Sequence, residues 1–105
     1  MSPNNTIFIT IKQLVQNVDP TAQIILYGSF ARGDNKLNSD IDLLILLDKE
    51  KISFQDAKRI KDPLYDLEFE TGQIISPLVL SKSAWELKHR ITPFYENVTQ
   101  EGIRL

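Results

Sequence analysis

The sequence predicts an α/β fold: a small mixed β-sheet flanked by helices, in a single domain over residues 1–105. Three observations predict it. Two short apolar runs, Ile24-Ile25-Leu26 and Leu43 to Leu47, have the length and branching of buried strands. Apolar residues recurring at three- and four-residue steps mark amphipathic helices before and after them. Turn and cap residues separate these segments, so helix and strand alternate along the chain.

The elements follow in order. Ile7, Ile11, Leu14, Val15 and Val18 form one helical face, and Pro20 marks the end of that helix. Residues 24–27 read as a short buried strand. Residues 28–33 form a turn that opens a short helix, and residues 34–38 are a polar loop. Residues 40–47 read as a second strand, apolar on both faces as a central strand is. Ser53 starts the next helix with Asp56 three residues on. Ala57, Ile60, Leu64 and Leu67 continue it, Pro63 kinks or interrupts it, and Gly72 stops it.

A competing reading makes residues 67–70 a strand, because Leu67 and Phe69 alternate with Glu68 and Glu70. The helix is favoured, and on it both glutamates are solvated. Residues 73–80 read as a third strand, with Pro77 pointing to an edge or a bulge. Ser83 with Glu86 has the form of a capping box. Thr92-Pro93 opens a last helix that turns Phe94, Tyr95 and Val98 inward and ends at Gly102.

Composition narrows the function classes. The chain is 42% hydrophobic and 25% charged, ordinary for a soluble domain. Net charge is −2, so no overall basic surface points to nucleic acid, and the Lys58, Arg59, Lys61 cluster reads as a solvated helix face. The absence of cysteine excludes disulfides, thiolate metal sites and thiol catalysis, and suits a cytoplasmic protein. The polar start Met1 to Asn5 has no signal-peptide pattern, and the longest apolar run is far too short to span a bilayer.

The chemistry concentrates in Tyr27-Gly28-Ser29-Phe30-Ala31-Arg32-Gly33-Asp34 and Ser39-Asp40-Ile41-Asp42. On a strand, residues i and i+2 share a face, so Asp40 and Asp42 present two carboxylates side by side. Paired carboxylates suit a Mg²⁺ ion that also binds substrate phosphates. The Gly28-Ser29 turn offers backbone N–H groups and a hydroxyl near a helix N-terminus, where anions are favoured. Arg32 either binds phosphate bidentately or pairs with a nearby acid to order the loop. Ser39 caps or orients Asp40. Gly33-Asp34 is turn chemistry, Tyr27 and Trp85 are core, and His89, the single histidine, lies far from the motif.

This pattern of Gly28-Ser29, Ala31-Arg32-Gly33 and Ser39-Asp40-Ile41-Asp42 resembles the minimal nucleotidyltransferases, a small branch of the DNA polymerase beta-like superfamily. The resemblance implies a palm-like core and transfer of a nucleoside monophosphate, with ATP or another nucleoside triphosphate as substrate. It implies Asp40 and Asp42 as catalytic metal ligands for Mg²⁺. Gly28, Ser29, Arg32 and Ser39 would then bind the nucleotide phosphates.

The resemblance also implies a partner, a small helical toxin of the HEPN type, with a toxin tyrosine as one acceptor. Larger relatives modify aminoglycosides with an extra helical domain for which this chain has no room. Active members carry a third carboxylate on a later strand, completing a two-metal site. Residues 73–80 contain none, and Ser76 stands where it is expected; on the strand reading of residues 67–70, Glu68 or Glu70 would serve. A degenerate nucleotide-binding or protein-binding module is the alternative. An edge strand also offers a route to homo-oligomers.

Overall fold

A computed structural model describes residues 6–87 and 90–105. Met1 to Asn5 and His89 lie outside the described residues. The elements are α1 (Thr6–Val18), β1 (Gln23–Tyr27), α2 (Ser29–Arg32), β2 (Ile41–Leu47) and α3 (Phe54–Thr71). They continue as β3 (Ile75–Ser81), α4 (Lys82–Leu87), α5 (Pro93–Glu101) and β4 (Ile103–Arg104). The four-stranded sheet has the order β3-β2-β1-β4. β1 runs antiparallel to β2 and β4, whereas β2 and β3 are parallel, so the sheet is mixed. A parallel pair needs a crossover, and α3 supplies it.

The alternation of strand side chains divides the core into two layers. Ile41, Leu43, Ile45 and Leu47 of β2 face one side with Ile24, Leu26, Ile75 and Val79, against Ile11 and Val15 of α1 and Ile60, Leu64 and Leu67 of α3. Leu44 and Leu46 face the other side, against Trp85 of α4 and Val98 of α5. β2 is therefore covered on both faces, which is why its sequence is continuously apolar. Asp42 belongs by the same alternation to the α4–α5 side.

Several expectations need correction. α1 turns Phe8 inward and leaves Val18 39% exposed. The apolar stripe leans toward the α1 N-terminus because Phe8 meets Phe30 edge-to-face at 6.0 Å. α3 runs through Pro63 without interruption. The carbonyl that loses its partner to the proline is that of Arg59, on the exposed side of the helix where water can replace it. The helix holds to Thr71, so residues 67–70 are not a strand, and Gly72 ends it in the left-handed conformation. Glu68 is not solvated: it accepts from the Ile75 amide at 2.8 Å and anchors the start of β3.

β2 begins at Ile41, leaving Asp40 in the preceding loop, and β3 is shifted to Ile75–Ser81. Pro77 does lie on an edge strand, as its missing N–H requires. The cap of α4 is Ser81, whose Oγ accepts from the Ala84 amide at 3.2 Å; Ser83 is already inside the helix, bonded hydroxyl to hydroxyl with Ser81 at 2.9 Å. Thr92 caps α5, with Pro93 in its first turn. β4 is absent from the sequence reading. Its two residues carry no periodicity, and only pairing with β1 makes them a strand.

At the start of α3, Ser53 and Asp56 form a reciprocal capping box. A hydrogen bond from Lys49 Nζ at 2.8 Å and the bonds from Ser53 hold the Asp56 carboxyl down at about 2. Because this carboxyl is depressed in the folded state, its contribution to stability is present above the ordinary value of 3.8 and is lost as pH falls toward about 2. Asp56→Asn is expected to make the acid limb of the stability profile shallower, measured by urea unfolding across that interval.

Candidate active site

Asp42 is the second residue of β2, directly opposite Tyr27 of β1 and beside Ser76 of β3. These three side chains form a row across the sheet on the α4–α5 side. Asp40 stands two residues earlier, exposed in the loop that feeds β2, and the Ser76 hydroxyl approaches its Oδ2 at 3.5 Å. The carboxylates thus sit at one end of the sheet, where the chain is shaped by the loop from β1.

That loop is built around Gly28, whose φ of 75° and ψ of −156° lie in a region almost confined to glycine. A Cβ there would also collide with Asp42 Oδ2. The close approach is thus a contact between the backbone of the turn and the carboxylate. The chain then enters α2 at once. The Ala31 and Arg32 amides bond back to the Gly28 carbonyl, and Gly33 closes the turn in the left-handed conformation. The amides of Ser29 and Phe30, in the first turn, have no acceptor within the helix. They belong to the turn whose Gly28 approaches Asp42, and backbone donors so exposed suit an anion.

The two carboxylates repel one another, and a bound cation would relieve that repulsion. Partial burial, and then repulsion from Asp40, raise the Asp42 carboxyl above its ordinary value, and Arg32 offsets this only in part. Burial and the Asp42 charge raise the Tyr27 phenol likewise. Among the described residues no hydrogen-bond donor holds the Asp42 carboxylate. Arg32 donates from Nε to Asp34 at 3.1 Å and from Nη1 to Glu101 at 3.2 Å, bridging the loop to the end of α5.

The donor set fits one hard divalent cation: two carboxylates and a neighbouring hydroxyl, with room for substrate oxygens. A third carboxylate does not join them, and no cluster of three metal-ligating side chains occurs among the described residues. Glu68 is committed to the Ile75 amide on the far side of the sheet, and Glu70 is exposed on α3. Ser76 occupies the position on the neighbouring strand.

Of the residues singled out from sequence, Gly28, Ser29, Arg32, Asp40 and Asp42 come together here. Ser39 is placed differently: its hydroxyl accepts from the Lys36 amide at 2.7 Å, and its carbonyl from Gln73 Nε2 at 2.9 Å. Its observed bonds order the acid loop. Tyr27 is half-buried beside Asp42 and lines a cleft of about 210 Å³ with Gly28, Arg32, Phe94, Asn97 and Glu101. Sequence reasoning missed Asn97 and Glu101. Their only signal was spacing, since both share the α5 face of Phe94 and Val98.

The profile of the nucleotidyltransferase domain family matches residues 9–94, from within α1 to the start of α5. Two proteins of Methanocaldococcus jannaschii, both provisionally named protein adenylyltransferases, are similar over most of their length. One is 33% identical over 89 residues, covering 83% of this chain and 81% of the relative. The other is 36% identical over 80 residues, covering 76% of this chain and 73% of the relative.

Proposed function

The chain belongs to the nucleotidyltransferase domain family, and from that premise we propose that it transfers AMP from ATP to a hydroxyl of a protein, with Mg²⁺ held by Asp40 and Asp42. The observation that supports this reading is the close approach of Gly28 to Asp42, which brings the Gly28-Ser29 turn against one of the two carboxylates. Phosphoryl-type transfer requires mostly positioning and neutralisation of charge. When bound, Mg²⁺ supplies that neutralisation between the triphosphate and the acceptor. The Ser29 hydroxyl and the first-turn amides of α2 hold the phosphates, and Arg32 exchanges a carboxylate partner for a phosphate oxygen. The acceptor oxygen bonds to the α-phosphorus as the bond to pyrophosphate breaks, and the acceptor proton is released.

The acceptor we favour is a small helical partner of the HEPN type. Protein acceptance is supported by the names of the two relatives. It is also supported by a depression of about 140 Å³ beside the acid loop, where Leu37 is 96% and Ile74 48% exposed. Use of ATP suits a cytoplasmic setting, and no helix among the described residues is long and apolar enough to cross a membrane. The lack of a third carboxylate favours a second reading, a module that binds nucleotide and partner without turnover.

Calorimetric titration with ATP, with and without Mg²⁺, tests the site. Wild type is expected to bind only with Mg²⁺, and Asp40→Asn/Asp42→Asn is expected to lose that binding. Incorporation of label from the α-phosphate of ATP into a partner then separates transfer from binding alone. A folded wild type that binds no nucleoside triphosphate refutes both the transfer reading and the nucleotide-binding module, and leaves a module that binds a partner protein alone.

A further inference from the structure

We propose that the outer face of α3 binds a second copy of this chain, the two α3 helices lying antiparallel about a two-fold axis between Lys61 and Asp62. The inference is independent of the transfer reading, because α3 covers the face of the sheet opposite Asp42. α3 buries Ile60, Leu64 and Leu67 against that face. On its outer side stand Phe54, Lys58, Lys61, Tyr65 and Phe69, at steps of four, three, four and four residues, which keeps them on one stripe of the helix. Phe54 is 79% and Phe69 91% exposed, so little of either ring is used in packing this chain. Single exposed apolar residues need no partner, but a row of aromatic rings along one stripe marks an interaction surface.

The stripe is complementary to itself. Reversing α3 about the Lys61-Asp62 step sets Phe54 against Phe69 of the second copy, Lys58 against Tyr65, and Lys61 against Asp62. A two-fold axis then repeats each pair, as an isologous interface requires. Lys61 has no ion-pair partner among the described residues, so its charge is available to the second copy. Asp62 accepts from Lys58 of its own helix and has lone pairs for a second donor. Lys58 lays its stem and ammonium over the Tyr65 ring of the second copy. A groove of about 230 Å³ lined by Phe54, Lys58, Lys61 and Tyr65 gives that ring a seat.

Area sets the strength. The aromatic rings of both copies, with the lysine stems between them, offer on the order of 1,000 Å² in all, the lower bound for a specific interface. The dimer is therefore weak and reversible, and its specificity lies in the charge register at the axis. The open edge of β3 is a poorer route to association, because Pro77 interrupts its row of free N–H groups.

The test is sedimentation equilibrium of the full chain, without nucleotide, at concentrations up to about 1 mM. Wild type is expected to be half dimeric at a concentration on the order of 100 μM, as an interface of this size allows. Phe69→Ala, which removes an anchoring ring, is expected to weaken the dimer roughly tenfold or more. Lys61→Asp sets like charges against each other on both sides of the axis and is expected to do the same, by about tenfold. The exchange Lys61→Asp/Asp62→Lys restores opposite charges and is expected to return the dimer to within about threefold of wild type, less the small cost of placing Lys58 four residues from a lysine. Phe69 and Asp62 are exposed, so thermal melts of dilute samples will confirm that the variants are folded. Wild type that stays monomeric at about 1 mM overturns the proposal and leaves the face for a protein of other sequence. A dimer that neither single variant weakens overturns it too, by placing the contact elsewhere. Loss in Lys61→Asp without recovery in the exchange overturns the antiparallel register.

Discussion

Asp42→Asn is expected to melt at a higher temperature than wild type at neutral pH, while Mg²⁺-dependent transfer falls on the order of 10²-fold or more. Both effects have one cause. The carboxylate is partly desolvated, faces Asp40, and is only partly offset by Arg32, so the fold holds its charge at a cost. Its folded value lies above the ordinary 3.8, so the folded state binds the proton more readily than the unfolded chain. Stability from this group is thus present at low pH and lost as pH rises through the raised value. The gain from the substitution should therefore shrink as pH is lowered from neutrality toward 3.8 and wild type takes up the proton at this position. Thermal melts of both proteins across that range, without Mg²⁺ or nucleotide, check it. An Asp42→Asn protein no more stable than wild type at neutral pH would remove the strain argument, and with it the view that the acid pair is kept for binding rather than folding.

Gly28→Ala is expected to destabilise the fold and to abolish Mg²⁺-dependent nucleotide binding together. The backbone at Gly28 lies where a side-chain-bearing residue costs about 1–3 kcal/mol. The added methyl must also displace the Asp42 carboxylate, since that is the group it would strike. Gly72→Ala is the matching control. Gly72 has the same positive φ of 75°, but a Cβ there meets nothing within 4 Å. It should lose about 1–2 kcal/mol for the left-handed conformation and keep nucleotide binding. Denaturant unfolding and titration with ATP on both variants separate backbone strain from damage to the site. If Gly28→Ala binds as Gly72→Ala does, the contact between Gly28 and Asp42 is not what organises the site.

Much of this was legible in the chain because it is local. The Asp-x-Asp spacing marks where β2 begins, although the strand starts only at Ile41, so strand geometry fixes the side of Asp42 and leaves Asp40 to the loop. Gly28 announces its turn because no other residue adopts that backbone readily. The capping pair Ser53 and Asp56, the Thr92-Pro93 start and the edge position of Pro77 likewise follow from which backbone groups each residue can satisfy. The misreadings share the opposite character. Glu68 looked solvated because nothing in its own helix announces the Ile75 amide seven residues away. Ser83 looked like a cap because its spacing to Glu86 is right, yet Ser81 reaches the amide first at the end of β3.

The sequence by itself determined the two apolar strands and the turn between them, because each depends on dihedral preference and side-chain period over a few residues. Only the tertiary structure decided what surrounds the acid pair. Pairing of β2 with β3 brings Ser76, rather than a glutamate, next to Asp40. Packing of α5 against β1 carries Phe94, Asn97 and Glu101 to the Gly28 turn, with 69 residues of sequence separating Arg32 from Glu101. Such contacts arise from burial of the Val98 face on the sheet, and burial selects a surface without reporting which polar neighbours arrive with it.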